Sequence, residues 1–281
     1  MPYLSADSVD LFYRDWGTGA PVVFTHTWAL SSAMWQYQAA ALADCGLRCV
    51  TYDRRGHGRS DQPGGGYDFD TLADDLATVI ERLDLRDVTL VGHSTGTGEI
   101  VRYLARHGSD RVARIVLVSS ALPFMLRTPD NPDGLPMAAW DEMRAQWRTD
   151  FAAWARRVAE PLFGVGLPGI SISRALIDWS TADSHATSVK AMLDLSHAVS
   201  ETDPRRRRRI QPAAAVRRAD GEPDSGQPPE GLRQRTPRPV PDPPGAAHRR
   251  PARVHRGWKL AAGSRPVRAP VADIGDVDEV R

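Results

Sequence analysis

The sequence predicts an α/β domain: a mostly parallel sheet with helices on both faces. Two observations carry this expectation. Short continuous apolar runs suit strands buried on both faces of a parallel sheet. Between them, apolar residues recur at three- and four-residue steps, as on one face of a helix, and this alternation implies right-handed crossovers. An apolar fraction of 41% over 281 residues supplies material for one large core, or for a core carrying an inserted lid.

The elements follow in order. APVVFT (20–25) reads as a first buried strand, and residues 31–45 as a helix that Gly46 stops. LRCVTYD (47–53) is the next strand. Phe69, Leu72, Leu76, Val79, Ile80 and Leu83 then line one helix face. DVTLVG (87–92) and VARIVLVS (112–119) are further buried strands, separated by a helix over about 95–107. These residues, 1–120, form the first part of the core. Residues 121–200 open with the turn-rich LPFMLRTPDNPDGLP and then become helical, as a lid would. Trp140, Met143, Trp147, Phe151 and Trp154 share one face there. That stripe reads first as a packing face and second as an aromatic wall over a substrate pocket.

Residues 201–281 should complete the core, but the composition changes at 204. Thirteen of the 22 prolines and 17 arginines fall in 204–281, with no Phe or Tyr and 11 Leu, Ile or Val. Two expectations follow. Either much of the stretch is too poor in apolar surface to offset its ordering entropy, or its reading frame is shifted, since GC-rich DNA read out of frame yields this Arg/Pro/Ala/Gly mixture. The stretch holds 18 Lys/Arg against nine Asp/Glu, so the net charge of +1 conceals −8 over residues 1–203.

This balance gives no reason to expect a nucleic-acid or membrane partner. Arg205–Arg209 lacks the aromatic interleaving of a nucleic-acid surface. Cys45 and Cys49, without a companion Cys/His cluster, indicate neither zinc nor a disulfide framework, and read as partly buried reduced thiols. The first 17 residues carry no basic–apolar–cleavage pattern, so a cytoplasmic protein is expected. The sequence offers no metal or haem site, so no cofactor is expected.

The chemistry-bearing stretch is TLVGHSTGTGEI (89–100). Gly92-His93-Ser94-Thr95-Gly96 is G-x-S-x-G after a predicted strand and before a predicted helix. A sharp strand-to-helix turn strains the serine backbone and leaves room only for small residues two positions to either side. The following helix aims its free N–H groups and dipole at negative charge building near Ser94. An ordinary tight turn is the bland alternative. Gly96-x-Gly98 lies too late, on the helix, for a dinucleotide fingerprint.

FTHTW (24–28), YDRRGHGRSDQP (52–63), VGHSTGTGEIVRYLARHG (91–108), RTPDNPDGLP (127–136) and SETD (200–203) together resemble the α/β-hydrolases. Within these, the likeness is to the cofactor-free bacterial haloperoxidase/esterase (perhydrolase) group. The resemblance implies an α/β-hydrolase fold with a helical lid and Ser94 as nucleophile. It implies backbone N–H groups of Trp28 and Thr95 as an oxyanion hole, with Thr27 standing where the family has a glycine. Asp53 would brace the loop 53–60. His93, beside the serine in the chain, would point away from it, and His57 belongs to the structural loop.

The order expected for this fold is Ser, then Asp/Glu, then His. Ser120-Ala121-Leu122-Pro123, after the strand 112–119, offers no carboxylate. The resemblance therefore assigns the acid to Asp224, in Gly221-Glu222-Pro223-Asp224, and the base to His248, in Gly245-Ala246-Ala247-His248, with His255 in reserve. The activity implied is a serine carboxylesterase acting on a small ester or acyl substrate through an acyl-enzyme. Peroxide in place of water would yield a peracid that oxidises halide. The rival expectation is a non-catalytic or impaired α/β-hydrolase-fold binding protein.

Overall fold

The computed structural model describes residues 2–203. Six strands form one sheet: β1 (Tyr3–Ala6), β2 (Val9–Trp16), β3 (Pro21–Thr25), β4 (Arg48–Tyr52), β5 (Val88–His93) and β6 (Val112–Val118). Their order is β1-β2-β4-β3-β5-β6. The four strands expected from apolar runs pair in parallel, with Val23 opposite both Val50 and Leu90, and Gly92 opposite Leu117. The antiparallel pair β1–β2 was not foreseen. It joins at Tyr13 opposite Tyr52, and its signal is the alternation in VDLFYRDW, where Val9 and Leu11 are buried and Asp10 is exposed.

Helix α1 (Gln36–Asp44) follows a 3-10 turn at Ser32–Trp35, and Gly46 beyond it takes φ +85°. Helix α2 (Phe69–Arg82) begins where Asp68 accepts the Thr71 N–H at 3.0 Å, and α3 (Thr95–His107) leaves β5 through Ser94. Alternation along the strands sends neighbours to opposite faces. Val23, Val50 and Leu90 pack with Leu76, Ile80 and Ile100 of α2 and α3. Val22, Phe24 and Cys49 pack instead with Trp35 and Ala39. Helices thus cover both faces, as expected.

β6 departs from expectation. Its apolar run predicted a strand buried on both faces, yet Ile115, Val116, Leu117 and Val118 are each more than a third exposed. The reason is position: among the described residues β6 is the edge strand, paired only with β5. Cys45 likewise is exposed rather than partly buried, while Cys49 is buried in β4.

Three further helices follow: α4 (Met137–Leu162), α5 (Arg174–Ser184) and α6 (Val189–Glu201). α4 breaks at Asp150, where φ is −158° and ψ is 85°. The Asp150 carboxylate accepts the Ala153 N–H at 2.9 Å and so caps the second half. Trp140, Trp147 and Phe151 are buried, with Met143 and Trp154 partly so, in a cluster that also takes in Phe124, Leu126 and Met192. The stripe is therefore a packing face.

Candidate active site

Ser94 sits at the junction of β5 and α3 with φ 52° and ψ −112°, a left-handed conformation unusual for a residue with a Cβ. Its backbone is held on both sides. The Ser94 N–H donates to the Val118 carbonyl of β6 at 3.0 Å, and the Ser94 carbonyl accepts from Thr97 N–H at 3.0 Å and Thr97 Oγ1 at 2.6 Å. The flanking glycines are required by space. A Cβ on Gly92 would lie 2.7 Å from the Gly96 carbonyl oxygen, and one on Gly96 2.5 Å from Thr25 Oγ1. Backbone strain held by its surroundings is typical of functional positions. Ser94 is partly exposed, and among the described residues no side chain hydrogen-bonds its Oγ.

β3 ends at Thr25, and the chain turns away through His26, Thr27 and Trp28. His26 is fully buried, and its Nε2 accepts the Arg54 N–H at 2.9 Å. That bond places the imidazole proton on Nδ1, which donates to the Thr27 carbonyl at 2.8 Å. The Thr27 N–H meets Met34 Sδ at 3.4 Å. Among the described residues neither the Trp28 N–H nor the Thr95 N–H donates to a protein acceptor. Thr27 does not occupy the left-handed region that a glycine would serve; Ala29 does, at φ 56°. The Trp28 ring leaves the loop for the helical segment. Its Nε1–H donates to the Met192 carbonyl of α6 at 2.9 Å, and its centroid lies 4.5 Å from that of Trp147.

Asp53 braces the loop after β4. Its carboxylate accepts the Ser32 N–H at 2.9 Å and the Arg59 N–H at 2.9 Å, with Arg59 Nε at 3.0 Å. Neither tempting histidine bonds Ser94. His57 is buried, with Nδ1 2.8 Å from the Arg55 carbonyl, and burial beside the Arg54 cation drives its pKa down to about 3. The His93 ring packs T-shaped with Trp35, and burial lowers its pKa. Asp224, His248 and His255 lie outside the described residues. Among the described residues no group of three or more His, Cys, Asp or Glu could hold a metal ion. No helix there is long and apolar enough to cross a membrane.

One cluster had no place in the sequence reading. Glu99 of α3 and Arg54 are both buried, with Arg54 Nε and Nη2 converging on Glu99 Oε2 at 2.9 and 2.7 Å. The Tyr52 hydroxyl contacts Glu99 Oε1, and Arg54 Nη2 also donates to the His26 carbonyl at 2.8 Å. Burial pushes the Glu99 carboxyl well above its ordinary range and brings Arg54 down to about 9, a value at which the guanidinium is still charged at neutral pH. The available signal was a carboxylate on the inward face of the helix after the elbow.

Residues 20–194 match the family model described as alpha/beta hydrolase fold. A non-heme haloperoxidase of Rhodococcus erythropolis is 43% identical over 205 residues, covering 72% of this chain and 75% of its own. A bifunctional esterase/perhydrolase of Acinetobacter calcoaceticus is 42% identical, with 72% and 75% covered. The crystal structure of a bromoperoxidase from Bacillus anthracis superposes with a TM-score of 0.68 at 35% identity, over 72% of this chain and 74% of that one. With the strained serine between β5 and α3 and the parallel sheet around it, these matches show that the chain belongs to the α/β-hydrolase fold family, in the group of the non-heme haloperoxidases and esterase/perhydrolases.

Proposed function

We propose that this protein is a serine hydrolase that cleaves small esters through an acyl-enzyme on Ser94. The observation that carries the reading is the Ser94 backbone, φ 52° and ψ −112°, at the mouth of a helix whose first N–H has no protein acceptor among the described residues. Ser94 Oγ adds to the ester carbonyl, and the N–H groups of Trp28 and Thr95 receive the oxyanion. Each such donor contributes about 3 kcal/mol to transition-state stabilisation. Collapse of the intermediate expels the alcohol and leaves Ser94 acylated. His248, oriented by Asp224, is the proposed general base and then acid.

Water attacking the acyl-enzyme returns Ser94 and a carboxylic acid. Hydrogen peroxide attacking instead returns Ser94 and a peracid, which oxidises a halide to hypohalous acid while being reduced to the carboxylic acid. The relatives named for esterase, perhydrolase and haloperoxidase activity support this pair of outcomes. The partly exposed Trp28 ring, carried by the residue that supplies the proposed oxyanion donor, favours an apolar acyl or alcohol group.

The test is pre-steady-state release of p-nitrophenol from p-nitrophenyl acetate by the full chain. A burst equal in amplitude to the enzyme concentration is expected, absent in Ser94→Ala. Equal release by both proteins would sink the proposal and favour a binding protein built on the same fold.

A further inference from the structure

A trans peptide unit is planar, so its C=O and N–H point in opposite directions. The Thr27 carbonyl and the Trp28 N–H belong to one such unit. Whatever holds the Thr27 oxygen therefore aims the Trp28 N–H. The His26 Nδ1–H holds that oxygen at 2.8 Å. His26 in turn is held at two points by Arg54, whose N–H donates to Nε2 at 2.9 Å and whose Nη2 donates to the His26 carbonyl at 2.8 Å. The guanidinium is oriented by Glu99, with two N–H groups on one carboxylate oxygen. Glu99 lies on α3, the helix whose first residue is Thr95.

We infer that the buried pair Glu99–Arg54 is a positioning device for the oxyanion hole: it locks the loop bearing the Trp28 N–H to the helix bearing the Thr95 N–H. The two donors come from different parts of the chain, β3's exit and α3's start, and need a fixed separation to grip one oxygen. The helix start is also fastened directly to β3, by Thr25 Oγ1 donating to the Gly96 carbonyl at 3.0 Å. That bond stops at Thr25. The chain beyond it, where the peptide must be aimed, is held by Arg54. The third guanidinium N–H bond, to the His26 carbonyl, fixes the residue whose imidazole holds the Thr27 oxygen. Neither Glu99 nor Arg54 is a catalytic residue; both act through His26.

This inference rests on the Ser94 hydrolase reading, and the experiment separates the two. Glu99→Gln keeps the shape and puts an amide where the carboxyl oxygen takes two guanidinium N–H groups; Arg54→Lys keeps the charge and removes the fork. For each, the burst rate constant with p-nitrophenyl acetate is expected to fall at least tenfold, with burst amplitude and KM within twofold of the starting protein. Amide exchange should rise at least tenfold in the 26–30 segment, with the β5 and α2 segments unchanged. Unchanged exchange at 26–30 overturns the inference, as does a uniform rise across the fold, which marks a purely structural pair. If Ser94→Ala keeps the burst, the hydrolase reading fails and the exchange pattern alone decides the positioning role. If one variant does not fold, the other carries the test.

Discussion

Thr25 Oγ1 donates a hydrogen bond to the Gly96 carbonyl at 3.0 Å, across 71 residues of chain. The end of β3 and the start of α3 are therefore in direct contact, with no space for a side chain between them. A Cβ on Gly96 would stand 2.6 Å from the Thr25 carbonyl oxygen, and backbone cannot rotate away as a side chain can.

Gly96→Ala should thus displace either β3's exit or the turn at Ser94. Overpacking of this kind costs about 1–3 kcal/mol, and more where backbone is struck. Urea denaturation should show at least that loss, with the acetate burst slowed more than 100-fold. A fully active, equally stable Gly96→Ala protein would contradict the elbow geometry.

Arg55 and Asp75 form a second buried pair, with Nε and Nη2 each 2.6 Å from a carboxylate oxygen. It joins the loop after β4 to α2. Removing one partner leaves a buried charge uncompensated, at a cost of about 3–5 kcal/mol. Asp75→Ala should lose that much stability by denaturant titration; a loss below about 1 kcal/mol would mean the pair is open to water in solution.

Acid sensitivity should follow from His57. Its pKa is about 3 in the folded protein, because burial and Arg54 oppose its charge, against about 6.5 in an unfolded chain. Between those values the unfolded state binds the proton and the native state does not. Stability is therefore held above pH 6.5 and lost as pH falls, by up to about 1.4 kcal/mol per unit from this residue. His26, also pushed well below its ordinary value by burial and Arg54, acts in the same direction. His57→Phe should have a shallower decline between pH 7.5 and 5 in urea midpoints than the unsubstituted chain. Parallel curves would remove His57 from the account.

Trp147 packs against Trp28 at 4.5 Å and is buried. Trp147→Ala should cost about 3–5 kcal/mol. It should also free the Trp28 side chain, seen as a red-shifted, more quenchable emission, with KM for p-nitrophenyl esters raised more than kcat is lowered. An effect on stability without any change in KM would confine Trp147 to packing.

The sequence exposed what lies in short windows. Ser94, its two glycines, and the strand and helix beside it could be read from residues 87–107, because apolar periodicity and turn chemistry are local properties. The aromatic face of α4 was legible for the same reason. The pair β1–β2 went unseen because four- and eight-residue strands half-exposed to solvent carry a weak pattern. The apolar run of β6 does not say how many strands flank it; among the described residues it pairs only with β5.

By itself the sequence determined the α/β alternation and the site of the nucleophile turn. Each depends on the order of residues within some twenty positions. Only the tertiary structure decided that Arg54 would meet Glu99, 45 residues away, and grip His26, 28 residues before it. Those contacts depend on β4 lying beside β3, and β3 beside β5, in one parallel register. Strand pairing brings together side chains that no local pattern relates, and burial then makes their hydrogen bonds obligatory.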